Sequence, residues 1–124
     1  MFTVAGVVTV FAQGLGGRDG LLTFDTAVAD GTLLSPASQA AMMTFVPGED
    51  LSAYGITHSY GLGIERYVTD DITVIGHMGT GQAQGSFFGF DPDHGTAVAV
   101  MINTANPGPA ALMGAQALTA AANG

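Results

Sequence analysis

Nineteen glycines and five prolines in 124 residues cut this chain into short apolar runs, more punctuation than a helical bundle would carry. They fall between the runs as strand and turn residues do, so the pattern predicts one mixed domain of helices and strands. The first half is read as helical. Leu21, Leu22, Phe24, Ala27 and Val28 recur near helical spacing, which predicts a helix over 19–29, and Asp30-Gly31 supplies its stop. Ser35-Pro36 reads as an N-cap followed by proline in the first turn of a second helix, whose apolar side is Ala40, Met42, Met43 and Phe45 and which Pro47-Gly48 ends. Residues 48–57 are polar and irregular, as a surface loop is.

Beyond residue 59 the period changes. Residues 60–68, 71–77, 86–91 and 96–103 are each bounded by Gly, Asp, Asn or Pro, and in sequence they predict a four-strand antiparallel meander. Asp70-Asp71 turns the first pair, and Asp91-Pro92-Asp93-His94-Gly95 turns the last. The unbroken apolar run Ala97 to Ile102 predicts a strand covered on both faces. After Asn106-Pro107-Gly108-Pro109, an Ala-rich segment over 110–121 with Leu112, Met113 and Leu118 predicts a closing amphipathic helix across the sheet. The fold class is therefore α+β: an antiparallel sheet of about four strands with flanking helices and a C-terminal helix. Residues 2–12 are about half of the ~20 apolar residues needed to cross a bilayer, with no preceding Lys or Arg, and read as a core segment.

Charge narrows the chemistry. Ten acidic residues face only Arg18 and Arg66, a net charge of −8 with no basic patch, so nucleic acid is not an expected partner. No lysine is present, which excludes a lysine Schiff base, a phosphate-loop lysine and a Ser-x-x-Lys nucleophile within these residues. No cysteine is present, which excludes disulfides, thiol nucleophiles and Cys-ligated zinc.

Three histidines remain. His58 in the loop and His94 in the turn read as structural or solvent-exposed, and no local histidine pair offers metal-ligand spacing, so no metal site and no cofactor is expected. Phe87, Phe88 and Phe90 read as core. Asp70, Asp71, Asp91 and Asp93 are turn formers, not a carboxylate pair. Gly14-Leu15-Gly16-Gly17 lacks the strand–turn–helix context of a dinucleotide site and reads as a loop.

Four segments stand in one order: Tyr60-Gly61-Leu62-Gly63-Ile64, Gly76-His77-Met78-Gly79-Thr80, Gly85-Ser86-Phe87-Phe88-Gly89-Phe90, and the strand from Ala97 to Asn103. With Gly31-Thr32-Leu33-Leu34-Ser35-Pro36 upstream, this order resembles the C-terminal part of the serine β-lactamase and D-alanyl-D-alanine carboxypeptidase family. In particular it looks like class C-like members that carry His-x-Gly where others carry Lys-Thr-Gly. The resemblance covers roughly residues 19–122. It implies that His77 is a proton or hydrogen-bond donor beside the reaction centre, that the Thr80 backbone N–H holds a developing oxyanion, and that Met78, Gly79 and Arg66 meet substrate. Met78 stands where relatives commonly have a Thr or Ser hydroxyl, and Glu65 and Arg66 follow the Tyr-Gly-Leu-Gly run, so strand alternation lets only one of them face the site.

The family's Ser-x-x-Lys and Tyr-x-Asn are absent: Tyr54, Tyr60 and Tyr67 are followed two residues on by Ile56, Leu62 and Thr69. The resemblance thus implies that residues 1–124 form a single partial domain, the C-terminal section of a longer hydrolase, inactive alone, with a missing N-terminal segment carrying the nucleophile. In the whole enzyme the substrate is a small molecule or peptide with an amide, lactam or ester bond, in an extracellular or periplasmic setting. A non-catalytic binding module, or a truncated product without function, is compatible with the same residues.

Overall fold

The computed structural model describes residues 3–9 and 17–124. In chain order they form β1 (Thr3–Thr9), α1 (Gly17–Ala29), α2 (Pro36–Met42), β2 (Val46–Pro47), a 3₁₀ turn at Ser52–Tyr54, β3 (Thr57–Tyr60), β4 (Glu65–Val68), β5 (Thr73–Thr80), β6 (Gly85–Asp91), β7 (Thr96–Ile102) and α3 (Gly108–Asn123). All seven strands lie in one sheet of order β1-β7-β6-β5-β4-β3-β2. β2 to β7 run antiparallel, as a meander must, while β1 joins β7 in parallel. Thr3–Thr9 of the apolar segment form the strand beside β7 at one end of the sheet order, while residues 2 and 10–12 of that segment and the Gly14–Gly16 part of the expected loop lie outside the described residues.

The local signals explain the helices. Ser35 is extended, and its Oγ accepts from the Ser38 N–H at 3.2 Å, capping α2 with Pro36 in the first turn. α2 ends at Met42, one turn earlier than Pro47-Gly48 would have stopped it, because residues 46–47 pair with β3 instead. On α3 the buried residues Ala110, Gly114 and Leu118 repeat every four positions, a stripe narrow enough for the helix to lie close on the sheet.

The sheet separates two apolar clusters. On one face Val74, Phe87, Val98, Val100 and Ile102 pack with Ala110 and Leu118 of α3; on the other, Phe90 and Ala97 pack with Val28 of α1 and with Ile64. β7 is therefore covered on both faces, as its unbroken apolar run predicts. The three phenylalanines divide by strand alternation: Phe87 to the α3 side, Phe90 to the α1 side, and Phe88 edge-on to Phe24 of α1 with centroids 5.7 Å apart.

One expected strand is two. Residues 60–68 form the end of β3, a tight turn and β4, because Gly63 sits at φ 69°, a left-handed conformation that glycine adopts without cost, and Gly61 N–H bonds the Ile64 carbonyl at 2.7 Å. The turn is pinned to the end of α2 by Leu62 N–H to the Met42 carbonyl at 3.1 Å. Between the 3₁₀ turn, the sheet and α3 lies an almost wholly apolar cavity of about 430 Å³, lined among others by Ile56, Ile72, Phe87, Ala111 and Ala115. No helix among the described residues is long and apolar enough to cross a membrane.

Candidate active site

β5 is longer than its neighbour. Only Thr73–Gly76 pair with β4, ending at Gly76 opposite Glu65, whereas Ile75–Thr80 pair with β6. Among the described residues, the His77 to Thr80 stretch is thus bonded to a strand on one flank and has none on the other. His77 is placed at the start of that half-free stretch.

Around His77 the chain assembles a polar cluster from three strands. The ring Nδ1 lies on the Met78 carbonyl, which can only accept, so Nδ1 carries a proton. Nε2 is 3.0 Å from the Tyr60 hydroxyl and 3.4 Å from Glu65 Oε1. The Glu65 side chain is 8% exposed, and its other oxygen, Oε2, accepts from His58 Nε2 at 2.8 Å and from the Tyr67 hydroxyl at 2.5 Å. His58 Nδ1 in turn accepts the Glu49 backbone N–H at 2.9 Å, which fixes the neutral ring as the Nε2–H tautomer. Burial and the Glu65 carboxylate push the Tyr67 phenol far above its usual range, so Tyr67 serves as a donor. His58 and Tyr67 stack with ring centroids 5.0 Å apart.

The other expected site residues are dispersed. Of Glu65 and Arg66, it is Glu65 that meets His77. Arg66 donates through Nε to Ser59 Oγ at 3.2 Å and lies 4.6 Å over the Phe45 ring. The Met78 side chain packs into the α3-side cluster with Val74 and Phe87, away from the His77 ring. Gly79 faces Ser86, whose Oγ a Cβ would approach within 2.5 Å, and Thr80 ends β5 exposed and opposite Gly85. The strand brings His77, Gly79 and Thr80 to one flank; Met78 and Arg66 stay with the packing around them.

His58 is not a loop residue. It stands on β3 with a side chain 6% exposed, and its partner Glu65 is seven positions away in sequence. His94 is the turn residue expected, with Nδ1 2.5 Å from the buried Asp91 carboxylate, which also accepts the Asp93 and His94 N–H groups. Among the described residues no group of three or more His, Cys, Asp or Glu side chains is arranged to hold a metal ion.

A second carboxyl stands apart from this cluster. Asp25 of α1 is fully buried, and neither oxygen makes a hydrogen bond of ordinary geometry among the described residues. Burial pushes its pKa up to about 8, against a weaker downward pull from the Gly89 amide.

No curated protein matches this chain. Among solved structures, it is similar to the crystal structure of a D-stereospecific amidohydrolase from Streptomyces sp., with 26% identity and a TM-score of 0.59. The match covers 69% of this chain but only 25% of that one, so the chain corresponds to about a quarter of its structural relative. The fold matches part of a β-lactamase-like fold. The family description Beta-lactamase matches residues 11–123, and over that length the chain belongs to the β-lactamase family.

Proposed function

We propose that the chain is the C-terminal section of a serine hydrolase that opens an amide, lactam or ester bond through an acyl-serine, the nucleophile coming from a segment outside these 124 residues. The observation that carries this reading is the half-free flank of β5. A strand that runs past its neighbour offers backbone groups and one ring, His77, to a carbonyl laid alongside it. In this reading His77 gives a hydrogen bond or proton at the reaction centre, and the Thr80 N–H receives the oxyanion. A donor so placed typically contributes about 10²–10³ in rate. Gly79 lets the main chain come close to substrate because it has no Cβ. The relative's name, a D-stereospecific amidohydrolase, favours an amide among the three bond types.

A serine hydroxyl is a weak nucleophile without an adjacent base, and no serine here has a lysine to serve it. The 124-residue chain, incubated with a chromogenic lactam, a D-amino acid amide and a penicillin, is therefore expected to show no turnover above an oxyanion-assisted background and no covalent adduct. The same chain extended upstream to include a Ser-x-x-Lys segment from its own genomic sequence is expected to acquire one labelled serine. A penicillin-sized mass increase on Ser35, Ser38, Ser52, Ser59 or Ser86 of the short chain, abolished by replacing that serine with alanine, refutes the reading. So does an extended chain that binds no serine reagent.

A further inference from the structure

The His77 cluster contains a group to which the family resemblance gives no role. Glu65 is buried, and both of its oxygens are used differently. Oε2 is saturated by two fixed donors: neutral His58, whose tautomer the Glu49 N–H dictates, and Tyr67, whose phenol holds its proton. Oε1 lies 3.4 Å from His77 Nε2. Among the described residues, the groups facing the His77 ring that can carry charge are Tyr60 on β3 and Glu65 on β4, with His58 and Tyr67 behind the carboxylate. Its neighbour on β6 is the apolar Phe88. Arg66, the described cation on β4, is engaged at Ser59 and Phe45.

Among the described residues, Nε2 thus has the Tyr60 hydroxyl as its hydrogen-bond partner and the Glu65 carboxylate beside it. With the ring neutral and its proton on Nδ1, Nε2 accepts from the Tyr60 hydroxyl. When a proton is added at Nε2, the Tyr60 hydroxyl turns its hydrogen away and accepts the new N–H, and the Glu65 carboxylate, with Oε1 3.4 Å from Nε2, stands beside the added charge. Nδ1 stays on the Met78 carbonyl in both states. We propose that Glu65 is the positioning residue for His77: braced through Oε2 by His58 and Tyr67, it holds its negative charge beside Nε2, with the Tyr60 hydroxyl as the hydrogen-bond partner, so that the ring takes up and returns a proton without turning. The proposal rests on reading His77 as the polar group of the reaction centre. It makes the buried His58–Glu65 pair part of the site and not a structural ion pair under it.

Long-range ¹H–¹⁵N spectra of the histidine rings in the 124-residue chain test this without requiring catalysis. At a pH where both rings are neutral, His58 is expected as the Nε2–H tautomer and His77 as the opposite, Nδ1–H tautomer. At pH 6, Glu65→Gln is expected to lower the fraction of His77 carrying both ring protons by about threefold or more, because the nearby negative charge is gone. Tyr67→Phe removes a brace but keeps the charge, and is expected to leave that fraction within about twofold. A neutral His77 in the Nε2–H tautomer overturns the proposal on the wild-type chain alone, whatever the variants do. An unchanged His77 fraction in a folded Glu65→Gln chain also overturns it, and leaves the hydrolase reading to be judged by serine labelling.

Discussion

Replacing Asp25 by asparagine should make the protein more stable at alkaline pH and remove a large part of its pH dependence. The carboxyl ionises near pH 4 in an unfolded chain but keeps its proton to about pH 8 in the folded one. Between those values the folded state binds the extra proton, so stability contributed by this group is complete below about pH 4 and declines as pH rises, levelling off above about pH 8. The slope is about 1.4 kcal/mol per pH unit, hence a loss of about 4 kcal/mol by pH 7 and about 5 kcal/mol by pH 8. Against a total of about 5–15 kcal/mol for an ordinary domain, that is a large fraction. Asparagine has the same shape and no charge to bury. Urea unfolding of wild type and Asp25→Asn, followed by far-ultraviolet circular dichroism from pH 5 to 8.5, gives a difference in which the other nine acidic residues cancel. The variant's advantage should grow by several kcal/mol across that range. Two parallel curves, or a variant that loses ground as pH rises, would mean that Asp25 is ionised and satisfied in the folded state, and the burial argument would be refuted.

Three further outcomes follow from packing. Gly114→Ala drives a methyl into the Phe87 ring, which is itself held between Val74 and Val98, and should destabilise by about 1–3 kcal/mol in the same urea assay. Ser35→Ala removes the acceptor for the Ser38 N–H and should cost about 1 kcal/mol, restored in large part by Ser35→Asp. Ala111→Leu projects three carbons toward the apolar cavity beside α3 and should raise stability by up to about 2 kcal/mol; a loss instead would show that the space is not free to be filled.

Local chemistry carried much of the fold into the sequence. The Ser35-Pro36 cap, the Asp91 to Gly95 turn and the apolar run of β7 each act within a few residues, and each element stands where its signal is. The division of residues 60–68 did not announce itself, since glycines at 61 and 63 suit a strand bounded by polar residues as well as a turn. What decides it is a bond from Leu62 to the Met42 carbonyl, twenty positions away in the chain. The strand position of His58 is hidden for the same reason: its environment is made by Glu65 and Tyr67 across a hairpin whose existence depends on that turn. For the site, alternation limited Glu65 and Arg66 to one facing His77, but only the register, Glu65 opposite Gly76, says which. Met78 follows from the same alternation applied to β5, where residues adjacent in sequence part to opposite faces.

The two-residue strand at one margin of the sheet also governs how this protein behaves toward other copies of itself. β2 consists of Val46 and Pro47, and a proline has no N–H to donate to an incoming chain. That margin is therefore a poor template for edge-to-edge aggregation even though Val46 is exposed. The hazard moves inward, to the unmatched flank of β5, where polar main-chain groups lie beside an exposed Thr80. Where that flank is open, it offers strand pairing to a second copy, a route separate from the apolar face under α3.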